Sequence, residues 1–216
     1  MDFTLPDEVL LLRDTLRKFV QRELEPISEQ VEEGDQIPDD AVAKMADLGL
    51  FGLAIPEAYG GQQLSVLAQC VANEELSRTN ACFRTRIGTN NGIGSQGILI
   101  AGTEEQRRRY LPELASGRMI GAFALSEPNA GSDASRIETT AVRRGDRWVL
   151  NGTKQFITNG DIAGIFTLMA STDRSQGAKG VSAFLVERFY RDLRLTRIYE
   201  GTSEILRMIV ARELIK

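Results

Sequence analysis

No histidine occurs anywhere in the 216 residues. That absence removes the Ser-His and Cys-His nucleophile pairs and any zinc site built on imidazole ligands. A general base in this chain must therefore be a carboxylate, Lys, Tyr or Cys. Cysteine is nearly absent as well. Cys70 and Cys82 lie in helix-like segments without metal-ligand spacing, and they read as two reduced, packed thiols rather than a disulfide. No apolar run reaches the roughly eighteen residues that a membrane-spanning helix needs, so no membrane insertion is expected. The N-terminus lacks a signal-peptide pattern, which makes the cytoplasm the default location, or the mitochondrial matrix where a transit peptide has been removed. A basic surplus is missing too: the net charge is −4 and the pI about 5.1, which argues against a nucleic-acid or anionic-membrane partner.

What is present is an ordinary globular composition, 42% hydrophobic and 26% charged, in a chain long enough to bury a real core. Residues 1 to 118 read as helices. Val9, Leu12, Leu16, Phe19 and Val20 line one face of the first, which Glu25-Pro26 is expected to end. Pro38 opens the next, with Val42, Met45 and Leu48 inward and Gly49 as its stop. Further helices are expected from about Ser65 to Ser77 and from Ala81 onward, and Thr103-Glu104-Glu105-Gln106 has capping-box spacing for one that ends near Leu114.

Near Met119 the period changes. Ile120 to Leu125, Glu138 to Val142, Trp148 to Leu150, Lys154 to Thr158, Ile165 to Ala170 and Val181 to Val186 read as short strands. Arg144-Gly145-Asp146 and Asn151-Gly152 fall where hairpin turns belong. From Glu187-Arg188 the pattern turns helical again, and Ile205, Leu206, Ile209, Val210 and Leu214 predict an amphipathic closing helix. The expected fold is α+β and mainly α: a helical domain over 1–118, a small antiparallel β-domain over 119–187 and a helical segment over 188–216.

Three stretches stand out chemically. Gly92-Ile93-Gly94-Ser95-Gln96-Gly97 matches a dinucleotide fingerprint, but no strand precedes it, so these glycines read as loosening a helix or permitting close packing. The loop Ser126-Glu127-Pro128-Asn129-Ala130-Gly131-Ser132-Asp133 has Pro128 fixing its entry and Gly131 allowing a turn that other residues resist. Taken alone it reads as a polar surface turn, although its free N–H groups and serine hydroxyls could also cradle a phosphate or the edge of a flavin. In Ile198-Tyr199-Glu200-Gly201-Thr202-Ser203-Glu204-Ile205, Glu200 sits on the turn entering a helix, either as a charged residue in a capped turn or as a functional carboxylate.

Taken together and in order, these motifs carry a resemblance. Phe123-Ala124-Leu125-Ser126-Glu127-Pro128-Asn129-Ala130-Gly131-Ser132-Asp133 and Leu150-Asn151-Gly152-Thr153-Lys154-Gln155-Phe156-Ile157-Thr158-Asn159-Gly160 resemble the flavin-binding segments of acyl-CoA dehydrogenases. Tyr199-Glu200-Gly201-Thr202 is similar to the segment carrying that family's catalytic glutamate. The resemblance implies FAD as cofactor and α,β-dehydrogenation of an acyl-CoA. In it Glu200 is the base that takes the α-proton, while flavin N5 accepts hydride from the β-carbon. It implies FAD contacts at Phe123, Ala124, Leu125, Ser126, Gly131, Ser132, Phe156, Ile157, Thr158, Thr202, Ser203 and Glu204, and substrate contacts at Ser132, Gly201 and Arg84. Two positions depart from the family pattern: Ser126 stands where Thr is common, and Phe156 where Trp is usual, keeping the aromatic surface but losing an N–H donor.

Arg84 falls where glutaryl-CoA dehydrogenases carry an arginine for a distal carboxylate, which implies a short acyl-CoA with an acidic tail; the alternative is a solvent-facing arginine. On a helix Arg86 lies about 160° away, so at most one of the two faces a ligand. The implied partners are the acyl-CoA, an electron acceptor such as an electron-transfer flavoprotein, and further copies of the chain. Between Val186-Glu187 and Arg188-Phe189-Tyr190 the sequence passes at once to the approach of the Glu200 motif, as though the late β-domain and most of a C-terminal helical domain had been deleted. With that gap in view, a non-catalytic flavin or acyl-CoA binder and a partner-dependent scaffold stand as alternatives to the enzyme.

Overall fold

The structure, a computed structural model, describes residues 4–188 and the backbone of Ile209–Glu213. It divides into two compact units, Met1–Gly92 with Arg108–Arg118, and Ile93–Arg107 with Met119–Lys216. The fold is a helical N-terminal part followed by a small mixed sheet.

In the first unit α1 (Asp7–Phe19) begins after Pro6, carries Asp7 and Glu8 at its N-terminal end and Arg17 and Lys18 at its C-terminal end, and so matches the helix dipole at both ends. Rather than stopping at Glu25-Pro26, the chain widens into a π turn at Val20–Leu24, tightens into a 3-10 turn at Glu25–Ile27, and re-enters α2 (Ser28–Gly34). Pro26 can sit there because a 3-10 start needs no N–H from it. The helix α3 (Asp39–Asp47) begins after Pro38 as expected, and Gly49 at φ 70° ends it, its N–H bonding to the Ala46 carbonyl. Both α4 (Val66–Leu76) and α5 (Ala81–Asn91) carry side-chain caps, Ser65 Oγ accepting from Ala68 N and Asn80 Oδ1 from Cys82 N.

Val9 of α1 packs with Ala68 and Val71 of α4. The same two helices are joined at Glu75, which is fully buried. Arg17 grips its carboxylate with two bonds of 3.0 and 2.7 Å, and Arg78 adds a third contact at 2.9 Å. Of the two thiols, both free, Cys82 is half-buried while Cys70 is exposed, so only one is packed.

Two short helices follow, α6 (Gln96–Ala101) and α7 (Glu104–Ala115). The capping box forms as its spacing predicts: Gln106 Oε1 accepts from Thr103 N at 2.8 Å, and Thr103 Oγ1 from Gln106 N at 3.3 Å. Residues 92–95 are a turn between α5 and α6, so no strand leads into the glycine motif. Gly97 answers to packing, since a Cβ there would lie 3.1 Å from the Thr167 methyl.

The sheet of the second unit has strands β1 (Gly121–Ala124), β2 (Thr140–Arg144), β3 (Arg147–Asn151), β4 (Ile165–Ser171), β5 (Val181–Glu187) and β6 (Ile209–Glu213). They are ordered β1-β4-β2-β3-β6-β5, and β4 also pairs with β5, so the ladder closes on itself. The sheet is mixed rather than antiparallel. β1 and β2 both run parallel to β4, while β2–β3, β4–β5, β3–β6 and β5–β6 are antiparallel. The β2–β3 hairpin turns at Gly145-Asp146 with Gly145 at φ 63°, the conformation a two-residue loop demands. Its core gathers Ala124, Ala141, Leu150, Leu168, Phe184 and Val186, with the Trp148 ring edge-on to Phe184 at 5.5 Å.

Three further expectations are corrected. Lys154 to Thr158 is a loop, not a strand. Asn151-Gly152 makes no hairpin, because β3 ends at Asn151 and the chain leaves the sheet. Ile209–Glu213 is a strand between β3 and β5 where a helix was expected. The rest of the predicted closing helix, the approach from Tyr190 to Leu195, and Glu200, Gly201, Thr202, Ser203 and Glu204 lie outside the described residues. Among the described residues no helix is long and apolar enough to cross a membrane.

Candidate functional site

Two loops leave the sheet side by side: residues 125–133 after β1, and residues 152–160 after β3. Each closes a turn of its own, Glu127 with Ala130 and Gly160 with Ile157, and the two are also bonded to each other. Gln155 N donates to Ser126 O at 3.0 Å, and Gln155 Nε2 to Glu127 O at 3.3 Å. Lys154 Nζ donates to Leu125 O and to Glu127 Oε1, both at 2.8 Å. The Glu127 carboxylate also accepts from Thr139 N at 3.0 Å and from Glu138 N at 2.5 Å, at the entry to β2. Burial works to raise the Glu127 carboxyl, but the bonds from Lys154, Thr139 and Glu138 outweigh it and hold it below the usual carboxylate range. Burial also pulls the Lys154 ammonium below the usual lysine range, against the attraction of Glu127.

Beside these loops the sheet leaves a cavity of about 450 Å3. Ala124, Leu150, Ile157, Phe166, Leu168 and Val186 give it apolar walls, and Thr139, Lys154, Gln155 and Asp161 supply the polar groups. That is the composition of a small-molecule site, mostly apolar with a few placed polar atoms. Phe156 is its most unusual member. It is 89% exposed and sits at φ 55°, a left-handed conformation that a bulky residue adopts only at a cost. An aromatic face held out of the core at the mouth of an apolar cavity fits a planar aromatic ring such as isoalloxazine.

Of the nine positions expected from the resemblance to contact FAD that fall inside the described residues, Ala124, Phe156 and Ile157 line this cavity. Phe123 is on β1 opposite Thr167 and half-buried; Leu125 and Ser126 are half-buried and spend their carbonyls on the neighbouring loop. Ser132 and Thr158 are exposed. Gly131 is exposed, has no positive φ and has open space where a Cβ would go, so the turn does not require glycine there. The glycine that geometry does require is Gly152, where a Cβ would meet Thr139 Oγ1 at 2.2 Å. Arg84 is exposed on α5 and Arg86 is half-buried, in keeping with their separation around the helix. Lys154 and Glu127 are the participants that sequence reasoning passed over; their only signal was a Glu and a Lys inside two polar motifs. Among the described residues no group of three or more acidic or Cys side chains is placed to hold a metal.

The profile of the acyl-CoA dehydrogenase N-terminal domain matches residues 6–118, and that of the acyl-CoA dehydrogenase middle domain matches residues 122–205. The chain belongs to the acyl-CoA dehydrogenase family. It is 39% identical over 198 residues to a short-chain-specific acyl-CoA dehydrogenase of Clostridium acetobutylicum, an alignment covering 92% of this chain and 52% of that protein. Among solved structures it superimposes on a glutaryl-coenzyme A dehydrogenase in complex with glutaryl-CoA with a TM-score of 0.81 at 35% identity, over 87% of this chain and 48% of the other. A glutaryl-CoA dehydrogenase from Mycobacterium smegmatis in complex with FADH2 aligns with a TM-score of 0.78 at 29% identity, over 96% of this chain and 52% of that one. The chain thus spans about half the length of the relatives it matches. The match to the middle domain takes in Glu200, and both loops, 125–133 and 152–160, fall inside it.

Proposed function

We propose that this chain binds FAD in the β-sheet cavity and serves the α,β-dehydrogenation of a short acyl-CoA thioester. The observation that carries the reading is the cavity itself. Leu150, Lys154, Gln155, Ile157 and the outward-held Phe156 line it from the second segment that resembles the family's flavin loops, and Ala124 from the first. What FAD supplies when bound is a two-electron acceptor for the hydride leaving the β-carbon. The chain's own residues do the rest. Ile157, packed on the core, and exposed Phe156 would face the ring system, while Thr139, Lys154 and Gln155, which line the cavity, would supply polar groups to it.

Glu200 is proposed as the base. Its carboxylate would take the α-proton while the C–H pair at the β-carbon leaves as hydride, so that a C=C bond forms and the thioester loses two hydrogens. A carboxylate can do this only in a dry site that raises its affinity for the proton, next to donors that take up charge on the thioester oxygen. The absence of histidine leaves no imidazole to compete for that role. Arg84 is proposed to meet an anionic acyl tail, with an electron-transferring flavoprotein as electron acceptor and like chains as partners.

The test is the visible spectrum of the purified protein and its response to butyryl-CoA and glutaryl-CoA. A bound flavin band that bleaches on addition of either thioester supports the proposal. A flavin band that no thioester bleaches reduces the chain to a binding module, and failure to take up added FAD removes the flavin reading altogether.

A further inference from the structure

We infer that Glu127 and Lys154 are a positioning couple for the candidate cofactor site: a buried ion pair that holds the cavity-lining loop 152–160 against the loop 125–133 in one arrangement. The inference rests on the flavin reading for its consequence, but not for its geometry. The two side chains are 1% and 10% exposed, so this is not a surface bridge that water and salt would screen away. The pair also sits at a partition. Lys154 lines the cavity of about 450 Å3, Glu127 lines a second, polar one of about 460 Å3, and Gly152 lines both.

Through its carboxylate and its own peptide, Glu127 is tied to three separate segments. Its carboxylate takes N–H bonds from Glu138 and Thr139 at the entry to β2, and its peptide closes a tight turn with Ala130. Lys154 and Gln155 then bring the second loop onto the first. A pair of well-packed apolar residues could replace the attraction between the two charges at little loss of stability, since burying two charges is costly. Apolar contacts, however, do not fix direction. A carboxylate with three placed N–H donors and an ammonium shared between two oxygens specify where each peptide points, and Leu125, Gln155 and Phe156 take their places from that network. Neither residue touches the reacting atoms in this reading. They act through the loops.

The experiment compares the parent with Glu127→Gln, Lys154→Met and the double variant Glu127→Leu/Lys154→Met. Amide hydrogen exchange is read over 126–130 and 152–160 in flavin-free protein, FAD affinity by titration, and the melting midpoint alongside. Each single variant is expected to speed exchange in both loops together and to weaken FAD binding about tenfold or more, the size expected when a buried charge loses its partner. The double variant is expected to recover part of the melting midpoint lost by the single variants, the rest staying lost because Glu138 N and Thr139 N have no acceptor, and to recover neither the loop protection nor the FAD affinity. That separation is what a merely structural pair would not produce. The inference is overturned if a single variant loosens only the loop that carries it, or if the double variant binds FAD as the parent does. Should the parent take up no FAD, exchange alone decides the couple, and it is the flavin reading that falls.

Discussion

Phe156 should be a residue whose removal leaves the fold about as stable while weakening the site. Its backbone is left-handed, which costs an L-residue about 1–2 kcal/mol. At 89% exposure its ring buries only about a tenth of roughly 200 Å2, worth about 0.5 kcal/mol. Substituting glycine releases the strain and gives up that small burial. Against this, the more flexible unfolded chain takes back about 0.5–1 kcal/mol. Phe156→Gly is therefore expected within about 1 kcal/mol of the parent, on either side of zero, with Phe156→Asn close behind because asparagine tolerates the same conformation. Phe156→Val, branched at Cβ, should lose about 1–2 kcal/mol, or some 2–8 °C in the melting midpoint of a chain this size. FAD affinity should move the other way and fall about two- to tenfold in the glycine variant as the aromatic contact is lost. Thermal unfolding of the four proteins without flavin, then FAD titration, reads both. If Phe156→Gly costs more than about 2 kcal/mol, or if valine is as stable as phenylalanine, the backbone is not strained there and the reasoning is wrong.

Three other outcomes follow from the same structure. Glu75→Gln should destabilise the chain by about 2 kcal/mol at neutral pH, less than a fully enclosed pair would cost because both arginines can turn partly to water. Because Arg17 holds the Glu75 carboxyl below its ordinary range, its contribution is present above the unfolded value and lost as pH falls through the folded one. The gap in melting midpoint between parent and variant should therefore close in acid. Gly152→Ala places a Cβ 2.2 Å from Thr139 Oγ1 and 2.6 Å from its Cα, so about 1–3 kcal/mol should be lost in denaturant titration, with no relief from a side-chain rotation. If Arg84 meets an anionic tail, the parent should favour glutaryl-CoA over an uncharged five-carbon acyl-CoA by roughly ten- to hundredfold, and Arg84→Ala should abolish the preference; equal rates in the parent would make Arg84 a surface residue.

Local chemistry was readable in the sequence wherever a single physical demand governed a position. Pro38, Gly49, the Thr103–Gln106 box and the Gly145 turn all behave as their residue types require. Misreadings came where two demands compete. Asn151-Gly152 has the composition of a hairpin turn, yet its glycine answers to the close approach of Thr139. Lys154 to Thr158 alternates like a strand, but Lys154 turns inward to Glu127 and Phe156 takes a left-handed backbone, so no ladder forms. Ile209-Val210 fits an amphipathic helix and a buried strand equally well, because a short apolar run carries no period of its own. The parallel pairing of β1 with β4 joins residues 44 positions apart, Gly121 to Ile165, and no local pattern announces it. The same holds for Glu127 and Lys154, 27 residues apart, whose burial is visible only once both loops are in place. The cavity's apolar walls were legible as core, not as site, since the residues that pack a sheet and those that line a pocket are of the same kinds.

The most direct measurement is the anaerobic reaction of the FAD-loaded protein with butyryl-CoA, parent against Glu200→Gln. Glutamine keeps the shape of the side chain and removes its basicity, so FAD should bind as before while reduction of the flavin by the thioester collapses. Reduction in the glutamine variant at the parent's rate would contradict the account, because the proton would then be leaving to some group other than Glu200.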